Sequence, residues 1–507
     1  MSGPPSPFFT APGRSGDGLR RLLLVSYHFP PGVAVGGLRW RKFAVHLADC
    51  GWALDAITLD PRRMARRDEG ALHELPPGTR VYGVADPDLA FERMEHQVWK
   101  WYRRARPPHS GTIGGRPGGS FPGAARPDSV HRSAVGWNIR DTRALRRAYY
   151  AWRDHVRMGR WASEASSLAL RLGAFATHEA VISAGPPHMA HEAGRRISEA
   201  GDMPLVMDLR DPWSLWQRLP EELASPVWLR LARRYERRCV DRASLILVNT
   251  APARSAMQAA YPAHARRIVT VMNGFDRDPL PTVPPRHAFT IAYVGTIYLD
   301  RDPRPLFRAC ARLIRELGLS PEQFAIELMG DVRSYQYISL ESIADEEGVA
   351  AFVHLHAPRN RSEALALIAG AAMLVSLPQD SDLAIPSKVF EYMQFDAWVL
   401  AIASPGSATA LLLADTGADV VAPGDEAALF RVLLNRFSEF TAGTRARALG
   451  LSRPSYSRTE QARILLGALA SCLDQGEAKD AGSDLARAAS EVRERSDPNR
   501  SSCAASP

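Results

Sequence analysis

The run Ile385-Pro386-Ser387-Lys388-Val389-Phe390-Glu391-Tyr392-Met393 combines residue types suited to holding a nucleoside diphosphate. Pro386 suits the first turn of a helix, and Lys388 and Glu391 stand at i and i+3, so they share a face. Val389 and Met393 fall on another stripe and can face a core. On the polar face, helix-start amides and Lys388 would meet phosphate oxygens, and Glu391 would accept hydrogen bonds from two vicinal ribose hydroxyls. The alternative is a first helical turn with an ordinary exposed Lys-Glu pair. The surroundings of the run decide between them.

Other loops carry compatible chemistry. Gly295-Thr296 closes a strand, and Arg301 lies just before a helix that starts at about Pro303 or Arg304. A glycine lets backbone approach a phosphate, and an arginine supplies charge; the alternative is a tight turn with a surface arginine. Gly330, in Met329-Gly330-Asp331, offers a second close approach or an ordinary strand-ending turn. The loop Phe29 to Gly37 precedes a helix, and Gly36-Gly37 could admit a pyrophosphate or an acceptor. The loops Gly185-Pro186-Pro187-His188 and Asp208-Leu209-Arg210-Asp211-Pro212-Trp213 supply His188, Arg210 and Asp211 as acceptor-side candidates. For His188, a cap on the following helix is as good a reading as catalysis. Asp380-Ser381-Asp382 resembles a metal-binding carboxylate pair, but further ligands cannot be placed, so we read it as loop.

These loops need a scaffold of strands. Arg20 to Ser26 reads as a buried strand, a helix follows from about Leu38 to Asp49, and Ala53 to Thr58 completes a β-α-β crossover with parallel strands. Strands are also predicted at Ala180 to Ser183, Leu205 to Asp208 and Leu245 to Val248, with a helix around Met189 to Glu199. Prolines at 279, 281, 284 and 285 mark a linker. Beyond it, strands are predicted at Thr290 to Val294, Ala325 to Met329, Phe352 to His354, Met373 to Leu377, Trp398 to Ile402 and Ala418 to Val421. The expected fold is α/β, two Rossmann-like doubly wound domains facing across a cleft. The boundaries read as a disordered N-terminus over 1–18, a first domain over 19–277 with an insertion at about 99–165, a linker over 278–288, a second domain over 289–474 and a disordered tail over 475–507.

At 507 residues, two domains are the natural expectation, and the net charge of +8 suits anionic partners. No uninterrupted apolar stretch is long enough for a spanning helix, and Met1 to Asp17 lacks the apolar core of a secretory signal, so the cytoplasm is the expected location. Five scattered cysteines suggest neither a zinc site nor a disulfide framework.

Taken together, Ser26-Tyr27-His28-Phe29-Pro30-Pro31 with Gly36-Gly37, Asp208 to Trp213, Asn273-Gly274-Phe275-Asp276, Val294-Gly295-Thr296 and Pro386-Ser387-Lys388 to Glu391-Tyr392 resemble the retaining glycosyltransferases of the GT-B type, family 4 (glycosyl transferases group 1), which includes builders of bacterial surface polysaccharides. The resemblance covers roughly Leu19 to Asp474. It implies a retaining, hexosyltransferase-like enzyme moving sugar from a nucleotide diphosphate donor to an acceptor hydroxyl. Glu391 then matches the second glutamate of a two-glutamate motif and Arg301 a basic diphosphate-binding residue. The first glutamate should lie eight residues before Glu391, where this chain has Leu383. Gly37, Gly295, Thr296, Gly330, Ser387, Lys388 and Glu391 are the expected donor contacts, with Arg301, Lys388 and His188 as catalytic candidates. No cofactor or metal is expected, since basic groups and helix amides neutralise the leaving diphosphate.

The expected partners are a nucleotide sugar donor and a saccharide or lipid-linked acceptor, with no nucleic acid. The arginines that alternate with Trp137, Tyr149, Tyr150, Trp152 and Trp161 fit docking at an anionic membrane, at the inner face of the cytoplasmic membrane, or a solvated insertion. Two other functions fit the same architecture: a sugar-nucleotide 2-epimerase, and a non-catalytic nucleotide-sugar-binding subunit.

Overall fold

A computed structural model describes residues 5–13, 19–86, 142–215, 219, 223–276, 279–284, 286–378 and 381–474. The first half contributes β1 (Phe9–Thr10), β2 (Arg20–Ser26), β3 (Trp52–Leu59), β4 (Arg80–Val84), β5 (Ala180–Gly185), β6 (Leu205–Leu209), β7 (Leu245–Val248) and β8 (Ile268–Thr270). They form one sheet in the order β1-β4-β3-β2-β5-β6-β7-β8. Every pairing is parallel except β1 with β4. The second half contributes β9 (Phe289–Val294), β10 (Phe324–Met329), a hairpin of β11 (Ser334–Tyr335) and β12 (Ile338–Ser339), β13 (Val353–His356), β14 (Met373–Ser376), β15 (Trp398–Ile402) and β16 (Asp419–Val421). Its all-parallel sheet runs β13-β10-β9-β14-β15-β16. The chain therefore has the predicted α/β architecture of two doubly wound, Rossmann-like domains.

Parallel strands covered by helices on both faces must be apolar on both faces, and Leu22 to Val25 are fully buried accordingly. Each sheet separates two apolar layers: one pair in the first domain, around Leu23 and Leu24 respectively, and one in the second, around Ile291 and Ala292.

The sequence pattern does not predict β4, β8 or the β11–β12 hairpin, and three segments depart further from its expectation. Residues 5–13, expected to lack order, include β1, whose Phe9 and Thr10 pair with Val81 and Arg80. Residues 142–165, within the expected insertion and without a predicted element, lie in a helix, Thr142–Arg171. Its buried positions are mainly alanines spaced along one face, Ala144, Ala151, Ala162, Ala165 and Ala169, so large apolar residues do not advertise its period. Third, the chain returns to the first domain before Asp474. A helix covering 458–474 buries Ala462, Leu465, Leu469 and Leu473 against the layer built on Leu22 and Leu24. The rest of the insertion, 99–141, and the tail from 475 lie outside the described residues.

A buried carboxylate ties the first sheet together at the ends of its strands away from the cleft. Asp55 on β3 accepts from Arg21 Nη2 on β2 (2.7 Å) and Arg80 Nε on β4 (2.9 Å), and His178 Nε2, before β5, lies 2.8 Å from its Oδ2. Burial pushes this carboxyl up, but the bonds from His178, Arg80 and Arg21 outweigh burial and hold it well below the usual carboxylate range. Asp55→Asn should cost up to about 3 kcal/mol at neutral pH, because it removes the buried counter-charge of Arg21 and Arg80, whose own partial exposure to water softens the loss. A depressed pKa contributes stability above the unfolded-state value of about 3.9 and loses it as pH falls through the folded value. Thermal unfolding across pH should show a gap between wild type and variant that is widest near neutrality and narrows below about pH 4. A gap independent of pH would show that the charge is not what Asp55 contributes.

Candidate functional site in the interdomain cleft

Strand order reverses between β2 and β5 in the first sheet and between β9 and β14 in the second. At such a switch the loops beyond the strand C-termini diverge and leave a crevice. The two crevices face each other across a cleft of about 500 Å³, lined by the loops that follow β2, β6, β9 and β14. Gly36, Arg210 and Asp211 line it from the first domain; Gly295, Thr296, Arg301, Ser387, Lys388 and Glu391 line it from the second.

The second-domain wall is clamped from behind by two tyrosine hydroxyls. Tyr392 Oη accepts from the Val294 amide at 3.0 Å, and Tyr293 Oη donates to the Thr296 carbonyl at 2.7 Å. Gly295 holds φ +146°, and a Cβ there would lie 2.5 Å from Lys388 Nζ, so a side chain at 295 would displace the ammonium. Lys388 Nζ in turn sits 3.7 Å from the centre of the Tyr293 ring, a cation–π contact that points the lysine at the 294–296 loop. Ser387–Tyr392 is a helix of only six residues. Its dipole is correspondingly small, which shifts the expected phosphate-binding charge from helix amides to Lys388 and Arg301. Arg301 packs over the Tyr298 ring at 4.2 Å. Glu391 pairs with Arg361 at 2.9 Å, across from the start of the helix Arg361–Ala369.

On the first-domain wall, Arg210 Nη1 donates to the Gly36 carbonyl at 2.8 Å, which joins the loop after β6 to the loop after β2. Beneath it, Arg39 lines the cleft floor and is bonded through its guanidinium to Asp208 and to the carbonyls of Val271 and Met272. His28 borders this wall, and burial, followed by the charge of Arg210, lowers its pKa to about 4, so the ring is neutral at physiological pH.

Three sequence candidates do not reach the cleft. Gly330 (φ +128°) packs under the 295 loop, where a Cβ would lie 2.2 Å from the Gly295 carbonyl oxygen. Its hydrogen sits against backbone rather than ligand. Gly37 abuts Phe29 Cα, which an added Cβ would approach to 3.1 Å, so it admits the neighbouring loop. His188 is buried at the N-cap of the helix Met189–Gly201 without a side-chain cap bond, and its ring stacks on Trp213 at 5.3 Å. Burial, then His191 and Arg210, keep it neutral. It packs the wall from behind.

Sequence reasoning missed Arg39, Arg361 and Arg458, which also line the cleft. Arg39 and Arg361 carry a signal, since each follows a strand-to-helix loop. Arg458 does not, because it arrives from the returning C-terminal helix. Among the described residues no group of three or more His, Cys, Asp or Glu is arranged to hold a metal ion. Asp380 lies outside the described residues, Ser381 lines the cleft, and the Asp382 carbonyl accepts from the Ala408 amide at 2.7 Å. No helix among the described residues is long and apolar enough to cross a membrane.

No family model matches the chain, and no curated protein matches it in sequence. Among solved structures it is similar to sucrose-phosphate synthase from Thermosynechococcus elongatus, at 14% identity and a TM-score of 0.54 over 92% of this chain and 100% of that one. It is also similar to α,α-trehalose-phosphate synthase (UDP-forming) from Burkholderia xenovorans, at 13% identity and a TM-score of 0.53 over 89% and 100%. A third likeness is the N-terminal domain of Candida albicans trehalose-6-phosphate phosphatase, at 12% identity and a TM-score of 0.54 over 92% and 99%. These likenesses establish the fold as GT-B.

The packing of Gly330 on Gly295 is testable by contrast with Gly318, which ends a helix at φ +63° with open space around it. Both alanine substitutions should lower stability, Gly318→Ala by about 1–2 kcal/mol from backbone strain and Gly330→Ala by that and about 1–3 kcal/mol of overpacking. Calorimetric titration with nucleoside diphosphates should show weakened binding for Gly330→Ala alone. Equal binding by both variants would mean that Gly330 does not shape the cleft.

Proposed function

We propose that this chain is a glycosyltransferase that moves a sugar from a nucleoside diphosphate donor to an acceptor hydroxyl with retention at the anomeric carbon. The observation that carries this reading is the convergence of Gly295, Arg301, Lys388 and Glu391 on one wall of a GT-B cleft, opposite Arg210 and Asp211. A diphosphate needs backbone it can approach and cations it can meet, and Gly295 with Lys388 and Arg301 provides both. A ribose needs a carboxylate that accepts from two hydroxyls, and Glu391, oriented by Arg361, is such a group.

In this mechanism Lys388 and Arg301 stabilise charge that grows on the departing diphosphate, and neutralise it without a metal ion. Groups already fixed before reaction, such as a lysine seated against Tyr293, reorganise little when that charge appears. Arg210 and Asp211 orient the acceptor from the first domain. Approach of the two walls excludes water, which limits hydrolysis of the donor. His188 has no part in this scheme, since its ring lies outside the cleft lining. Synthesis of a polysaccharide or glycoconjugate is the setting we infer.

Purified protein incubated with nucleotide sugars separates the readings. Release of nucleoside diphosphate that depends on acceptor supports transfer, whereas an altered sugar without release would mean epimerisation and binding without turnover a non-catalytic subunit. Lys388→Ala should lower kcat by about 10²–10³-fold, the usual cost of one preorganised charge donor at a leaving oxygen. Glu391→Ala should weaken nucleoside diphosphate binding by about tenfold or more, the loss expected for hydrogen bonds to a charged group. Turnover should survive EDTA. Unchanged diphosphate affinity in Glu391→Ala would sink the donor-site assignment.

A further inference from the structure

The helix Thr142–Arg171 is about 45 Å long at roughly 1.5 Å per residue, far longer than the strands it covers. Its position along the sheet is set by two contacts at the strand C-terminal edge. Arg157 pairs with Asp86, just past β4, and Trp161 meets Tyr27, just past β2, ring to ring at 5.1 Å. From there the helix runs down the sheet toward the start of β5. Its first 15 residues therefore extend about 22 Å beyond the strand ends, on the edge where the cleft lies.

That projecting part carries an exposed stripe. Leu145 (47% exposed), Tyr149 (38%) and Trp152 (45%) follow one another at i, i+4 and i+7, so they form a single line. Arg146, Arg153 and Arg160 run beside it at seven-residue intervals. Alongside lies the helix Pro226–Arg242, joined to it by the contact of His155 with Tyr235. That helix exposes Arg230, Arg233, Arg234, Arg237 and Arg238. Against these cations, the exposed acids on the two helices are Asp154, Glu164 and Asp241.

We propose that this two-helix surface docks the protein on an anionic lipid surface, with the Leu145-Tyr149-Trp152 stripe entering the headgroup boundary and the arginines facing lipid phosphates. Tyrosine and tryptophan partition to that boundary because each joins an apolar ring to a polar group, and clustered arginines are drawn to the negative surface potential. Docking in this orientation turns the acceptor side of the cleft toward the lipid.

Partition is measured without substrate, so its outcome is independent of the transferase reading. The full-length chain should cosediment with vesicles of phosphatidylcholine and phosphatidylglycerol, not with phosphatidylcholine alone, and added salt should release it. The combined Leu145→Ser, Tyr149→Ser and Trp152→Ser variant should lose partition by about tenfold or more at an unchanged melting temperature. Arg230→Gln with Arg233→Gln and Arg237→Gln should weaken partition severalfold and flatten its salt dependence. Several results would overturn the proposal: no partition, including the case in which the arginines instead retain a DNA probe; partition indifferent to the stripe; a large fall in melting temperature of the triple serine variant, which would mean that the chain itself covers the stripe; or a dimer that this variant dissolves.

Discussion

The cleft depends on one buried guanidinium held by one buried carboxylate. Arg39 and Asp208 are almost wholly buried, and Arg39 Nε donates to Asp208 Oδ2 at 3.0 Å. Either charge alone in that position would carry an uncompensated desolvation cost of several kcal/mol, so neither side chain can leave without the other. Trp40 Nε1 completes the carboxylate at 2.7 Å, and the Val271 and Met272 carbonyls complete the guanidinium at 2.8 and 2.9 Å. Three elements thereby meet at fixed distances: the helix after β2, the end of β6 and the stretch after β8. Arg210, two residues beyond Asp208, inherits its place from this arrangement and reaches Gly36.

The stretch after β8 also governs how the domains sit. Phe275 donates to the Tyr456 carbonyl at 3.0 Å and accepts from the Arg458 amide at 2.7 Å, while Arg458 Nε bonds Asp276 at 2.7 Å. The outward and returning crossings between domains are thus zipped to each other, and Gln461 joins them to Met272. The lining carboxylates share a pattern: Asp276 is paired with Arg458, Glu391 with Arg361, and Asp211 more loosely with Arg210 at 3.8 Å. Carboxylates held this way point hydrogen-bond acceptors at a ligand without making the cleft acidic. With Arg301 and Lys388 added to these paired groups, the field inside favours a dianion.

Strands buried on both faces were legible because apolar runs such as Leu245 to Val248 permit little else, and the residue after each such strand locates the cleft. Short strands at the periphery were not. β8 has only Ile268 fully buried, and β1 pairs through two residues of a Pro- and Gly-rich segment whose composition suggests no order. Gly295 and Gly330 looked alike in sequence, each a glycine after a strand, yet one approaches the cleft and the other supports the first. That distinction is a matter of which loop lies on top, and only the register of β9 on β10, Val294 against Met329, decides it. His188 looked catalytic because a histidine after a strand end belongs in a cleft; the stacking of Trp213 instead folds it into the wall.

Leu383 joins the cleft loop of the second domain to the first domain. Its side chain packs against the apolar layer of the first domain built on Leu23, and its carbonyl accepts from Thr250 Oγ1 at 2.6 Å. A carboxylate placed in that packing would meet apolar neighbours and would raise its own pKa rather than serve a ligand. The position is therefore a contact between domains. A partly buried leucine contributes up to about 1.5–3 kcal/mol, and the hydroxyl bond about 1 kcal/mol more, so separating the two walls at this point works against a definite restoring force. The loop that carries Ser381 and Ala384 into the cleft is held by the first domain even though it belongs to the second, and the closed arrangement of the walls is correspondingly favoured.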